Sequence, residues 1–274
     1  MKKYFYVFFI ILSSCSVNIE NNFGTFTGTQ IIKILDTLSI QDREKKIFEL
    51  IENKNYPYFL ENFVKISVKE ELNGINYLLE YFVTPDYFSL GVNNDYFLIP
   101  MSPLLAQKVA DYFDCMLPTK KIVDQIYSSS KIKFYPQPIK PSPEMITIKV
   151  FAKHNDSIKI QREKYFSSFS ISELCSGHKK DVIISNLVYN NLKPKVPKPV
   201  VIYGWHKLDG APIQPPYNGH DENYADYSHG IRLVKKYAFL NGQKVFLPDI
   251  LKDSTLCKLI SDEGIISKPY YITD

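Results

Sequence analysis

Between Cys175 and Arg232 the chain gathers four of its five histidines, His178, His206, His220 and His229. The same stretch holds the single tryptophan, Trp205, and five of the eleven glycines. Structural demand alone would scatter these residue types, so their concentration marks this stretch as the place for chemistry. An imidazole titrates near neutrality and can act as general acid or base. "SGHKKD" sets His178, Lys179 and Asp181 at the entry to a strand, and "YGWHKLDG" ends an apolar strand with Trp205 and His206. "GHDENYADYSHGIR" supplies His220, Asp226, Tyr227, His229 and Arg232. If the strands carrying His206 and His229 pair, both imidazoles face one cleft. They then form an acid–base pair, with Asp226 holding the tautomer and Arg232 gripping an oxyanion or carboxylate. His178 and Asp181 are further catalytic candidates. Trp205, Tyr227 and Lys179 are candidates for holding substrate, because rings beside hydrogen-bonding groups suit sugars and peptides. A tyrosine-rich core would use the same rings as filling.

Other chemistries find less support. Zinc needs three or four N, S or O ligands. His206, His229 and His220 can assemble an open three-ligand zinc site, although no His-Glu-x-x-His or Cys-x-x-Cys spacing is present. No Gly-x-Ser-x-Gly elbow and no phosphate-cradling glycine loop occurs. Cys175 stands three residues before His178, a spacing that does not itself align thiol with imidazole.

Ser228-His229-Gly230-Ile231-Arg232 resembles the signature of the L,D-transpeptidases, which act on peptidoglycan. The likeness covers five residues and departs at the decisive one, because Ile231 directly follows Gly230 where the family carries its nucleophilic cysteine. Without a thiolate that route to an acyl-enzyme is closed. "LPTKKIVDQIY", "GHKKD", "YGWH" and "DYSHG" together resemble a group of secreted bacterial proteins, a likeness that implies an address and no activity.

The address is also written at the start, in "MKKYFYVFFIILSSCS". Lys2 and Lys3 precede an apolar run from Tyr4 to Leu12, too short for a bilayer span of about 20 residues but suited to a secretory signal. Leu12-Ser13-Ser14-Cys15 resembles the lipobox of bacterial lipoproteins. That resemblance implies cleavage before Cys15, acylation of Cys15, a lipid bilayer as partner and, with Ser16 following, the outer membrane of a cell envelope. Cys115, Cys175 and Cys257 then remain, an odd number that leaves at least one free thiol. Removing Lys2 and Lys3 from the 33 basic residues leaves 31 against 29 acidic ones, no footprint for nucleic acid.

The elements that must position the candidates follow from pattern. Residues 1–14 read as signal peptide, 15–37 as a lipidated tether and 38–274 as one α+β domain. Its sheet is expected to be antiparallel or mixed, with segregated helices. Ser39, Ser102 with Pro103, and Thr119 look like helix starts. Short aromatic and β-branched runs from Phe63 to Ile99 suggest a strand meander. "YPQPIKPSP" at 135–143 is an extended connector and the place where two lobes would divide. "MITIKVFA", "DVIISNLVY" and "PVVIYGW" read as strands, Asn241-Gly242 as a hairpin turn, and Pro248 to Ser261 as a final amphipathic helix. Together these make an envelope-anchored lipoprotein with a His/Asp/Arg-rich site. It is expected to be a hydrolase or transferase acting on an envelope polymer such as peptidoglycan. A non-catalytic sugar or peptide binder, or a structural envelope protein, is the alternative.

Overall fold

The computed structural model describes residues 24, 26–166, 168–190 and 197–273; the expected signal segment and Cys15 lie outside the described residues. Helices α1 (Gly28–Leu35) and α2 (Ile40–Glu52) lead into β1 (Val64–Leu72), β2 (Ile75–Val83), β3 (Ser89–Val92) and β4 (Asp95–Leu98). Then come α3 (Pro103–Tyr112), β5 (Cys115–Met116), α4 (Lys120–Ser129) and β6 (Ile132–Lys133). Past the proline-rich connector run α5 (Ile148–Phe166), β7 (Cys175–Ser176), β8 (Lys180–Val182), β9 (Pro199–His206), β10 (Pro212–Asp221) and β11 (His229–Gly230). The order closes with β12 (Val234–Lys235), β13 (Tyr237–Leu240), β14 (Gln243–Phe246) and α6 (Leu247–Ile250). The class is α+β, as expected.

Local chemistry explains the starts and turns. Ser39, Ser102 and Thr119 each accept a hydrogen bond from the backbone N–H three residues on, in α2, α3 and α4. Each such cap contributes about 1 kcal/mol. Asn241 and Gly242 take φ of 49° and 82° between β13 and β14, the twist that a two-residue hairpin needs.

One sheet runs β14-β13-β2-β12-β5, with β1 also on β2; a second runs β10-β9-β8-β11. In the second, β8 pairs antiparallel with β9 and parallel with β11. A single apolar core joins Ile31, Leu79 and Ile122 before the connector to Phe151, Ile202 and Leu247 after it. The chain therefore does not divide into lobes at 135–143. The connector is held down instead, with Ile139 N donating to the Tyr227 hydroxyl at 2.7 Å.

Three expectations need correction. Residues 28–35 are not tether: Thr27 and Gln30 form a capping box, and Ile31 and Leu35 are fully buried. "MITIKVFA" opens the long helix α5 rather than a strand. Its buried positions Ile148, Phe151, His154, Asn155, Ile158 and Arg162 follow helical spacing, but three of them are polar, which hides the stripe. The expected last helix is broken into α6 and a 3-10 turn at Leu256–Leu259, because the Asp253 carboxylate accepts from the N–H groups of Thr255 and Leu256.

Candidate functional site

The second sheet carries most of the candidate residues, and its register decides which of them meet. Cross-strand partners share a face. Lys180 stands opposite Gly204 and His229, while Asp181 stands opposite Tyr203 and Gly230. Strict alternation would put Trp205 on the Tyr203 face. It does not, because Gly204 and Trp205 both adopt left-handed backbone, φ 103° and 59°. For tryptophan that conformation is strained, and such strain gathers at functional sites. The kink turns Trp205 toward Lys180, whose Nζ lies 5.1 Å from the ring centroid, and drops His206 onto the Tyr203 face.

There His206 meets Asp124 of α4. His206 Nε2 lies 3.0 Å from Asp124 Oδ1, and the Tyr203 hydroxyl donates to the same oxygen at 2.7 Å. Lys120 Nζ donates to Oδ2 at 2.9 Å. Burial pushes the Asp124 carboxyl up, but the hydrogen bonds from His206, Lys120 and Tyr203 outweigh it and hold the group below its ordinary range. The imidazole stacks on Tyr127 at 4.5 Å and 19°, and the Tyr127 hydroxyl donates to Lys207 O at 2.5 Å, fixing the turn after β9. At Gly204 the positive φ disfavours any side chain, and a Cβ there would crowd the His206 ring at 3.3 Å. His206 Nδ1 has no hydrogen-bond partner among the described residues. Asp124, Tyr127, Lys133, Tyr203, His206 and Asp209 line an open cleft of about 530 Å³. A larger groove of about 680 Å³ along α2 and α3 is mainly apolar, and its half-buried Glu44 is taken up by Ser102.

His229 lies on the other face. The expected His206–His229 pair does not form, because the sheet separates the two rings. His229 is fully buried, and neither ring nitrogen has a partner among the described residues. Burial, only partly opposed by Asp226, draws it down to about 4, so it is neutral near pH 7. Asp226 does not orient it: Oδ1 accepts from Ser228 N and Oγ at 2.7 and 2.6 Å, and Oδ2 from the Tyr224 hydroxyl at 3.2 Å. Arg232 grips no anion. Its guanidinium donates to the carbonyls of Thr84 and Cys175 and lies over the Tyr87 ring, all out of solvent. Trp205 and Tyr227 are buried and present no ring to a polymer; the Tyr227 hydroxyl anchors the connector at Ile139. Lys179 is buried too, donating to Tyr227 O at 2.5 Å.

His178 and Asp181 belong to an interior charge network. His178 Nε2 lies 2.9 Å from Asp86 Oδ1, and Arg162 pairs with the other carboxylate oxygen. Burial works against the Asp86 charge, yet Arg162 and His178 hold its carboxyl well below the ordinary range. Asp181 accepts from the Tyr87 hydroxyl at 2.7 Å, and burial raises its carboxyl to about 6. Zinc ligation by His206, His229 and His220 is not supported, because these rings do not converge. Asp86, Cys175 and His178 are the three-residue group among the described residues whose ligand atoms lie within 4.8 Å of one another. Their surroundings do not suit a cation. Arg162 already neutralises Asp86, and burial with the nearby Asp86 charge pushes the Cys175 thiol well up, whereas a metal needs thiolate.

Asp124 and Tyr127 lie within "LPTKKIVDQIY", which the sequence marked only as a resemblance without chemistry, and Lys133 carried no mark. They sit on α4 and β6, far along the chain from "YGWH", and only packing of α4 on β9 brings them there. Comparison with family models, with curated proteins and with solved structures finds no match.

Proposed function

We propose that the chain is an envelope-anchored lipoprotein whose Asp124–His206 cleft hydrolyses a cell-envelope polymer of the peptidoglycan type. One observation carries the reading. Of the imidazoles singled out in the sequence, His206 is the one that lines an open cleft while a carboxylate holds its other nitrogen. With Nε2 fixed, Nδ1 takes a proton from water as its oxygen bonds to the scissile carbon. The same proton then passes to the leaving nitrogen or oxygen as that bond breaks. Asp124 holds the ring in place, Tyr127 keeps it flat, and Lys133, 4.6 Å from the Tyr127 ring centroid, faces negative charge developing in the cleft. The polymer and the anchor come from the lipobox resemblance and the secretory segment.

Purified peptidoglycan incubated with the full chain tests this. Release of soluble fragments is expected, with kcat in Asp124→Asn falling by about 10² to 10⁴ and KM little changed. Saturable binding without release, unaltered in Asp124→Asn, would replace the enzyme by a binding protein.

A further inference from the structure

The face of the second sheet opposite the cleft holds an unusual set of polar groups. His154 of α5 and His229 of β11 are buried with all four ring nitrogens unpartnered among the described residues, and Trp205 Nε1, beside His154, is buried and unpartnered too. The rings adjoin, with His154 5.0 Å from Tyr227 and 6.2 Å from Trp205 between centroids. Native interiors leave few buried polar atoms unsatisfied, and each costs about 1–3 kcal/mol. Three of the five adjoin, on His154 and Trp205, and the two on His229 lie across Lys180 in the same sheet, so that the group as a whole points to a ligand.

Charge says which kind. Two lysine amines enter the cluster, Lys179 from within, where burial draws it down to about 7, and the half-buried Lys180 over the Trp205 ring, and neither has an ion-pair partner among the described residues. The nearby carboxylate, Asp226, is already committed to Ser228 and Tyr224. Burial draws His154 to about 2 and His229 to about 4, so each is neutral and offers one N–H and one lone pair. With the indole N–H and the remaining amine hydrogens, free donors outnumber free acceptors.

We propose that His154, Lys179, Lys180, Trp205 and His229 form a second site that takes a small oxyanion, a carboxylate or a phosphate. Lys180, His220 and Tyr224 are only partly buried and form its entrance. The site stands apart from the hydrolytic reading, since the sheet lies between them.

Trp205 is the chain's one tryptophan, so its emission reports on this site alone. The full chain is titrated with sodium acetate and, separately, with inorganic phosphate, at ionic strength held constant with sodium chloride. A saturable change in emission is expected with at least one of the two, acetate marking a carboxylate site and phosphate a phosphate site. Lys180→Gln should weaken it about tenfold or more, and Lys179→Met should abolish it. Lys180 is partly exposed, so its variant decides the matter alone if Lys179→Met does not fold by far-UV circular dichroism. No saturating response to either anion, or an undiminished one in Lys180→Gln, overturns the proposal.

Discussion

Asp86 is the residue on which the interior electrostatics turn. It is 2% exposed and binds Arg162 and His178 at once, with Arg232 close enough to act on it. Removing one member of a buried ion pair leaves the other charge without compensation. Asp86→Asn is therefore expected to cost about 3–5 kcal/mol in urea unfolding; a loss below about 1 kcal/mol would show the network to be incidental. Residue types in the sequence located part of this. "GHKKD" and "SHGIR" do mark polar residues with special environments. What they could not give is partner or exposure: Arg232 meets carbonyls of Thr84 and Cys175, 148 and 57 positions away. The cluster was legible as chemistry; its division into scaffold and site was not.

At the scale of elements, the end of β9 and the short strand β11 set the geometry. The left-handed pair Gly204-Trp205 sends consecutive side chains to opposite faces in an order that alternation cannot anticipate. That is why the pairing of His206 with His229 looked sound in sequence and fails in three dimensions. β11 lies close under Tyr87, and a Cβ on Gly230 would stand 2.6 Å from both the Tyr87 ring and the Lys179 Cβ. Gly230→Ala should overpack this seam and destabilise by about 1–3 kcal/mol, read as a lowered denaturation midpoint. Wild-type stability in that variant would mean β11 shifts freely. Helices with ordinary caps, at Ser39, Ser102 and Thr119, and the Asn241-Gly242 hairpin were legible because their signals are local. α5 was not, because its buried face carries His154, Asn155 and Arg162 among the apolar residues.

For the whole molecule, buried neutral imidazoles should make stability depend on pH. Burial holds His154, His178 and His229 below their ordinary value of 6.5, at about 2, 4 and 4. As pH falls below 6.5 the unfolded chain takes up protons that the folded chain refuses, so stability is lost on acidification. Asp181, raised by burial to about 6, works the other way between its ordinary 3.8 and 6. The smaller shifts of His220, downward, and Glu44, upward, oppose each other. Around pH 5 the balance is two protons, so unfolding free energy should fall by about 3 kcal/mol per pH unit. Urea midpoints at pH 7, 6 and 5 check this, and a flat profile would contradict it.

The same arrangement places His206, which the proposed function makes reactive, and His229, which it does not use, on opposite faces of one sheet, and a paired assay separates them. Fragment release from purified peptidoglycan is compared for His206→Gln and His229→Gln in the full chain, with melting temperatures alongside. His206→Gln should reduce release to background while melting like the wild type; His229→Gln should keep release, scaled to its folded fraction. Release that survives in His206→Gln, or vanishes in a well-folded His229→Gln, would place the active centre on the wrong face of the sheet.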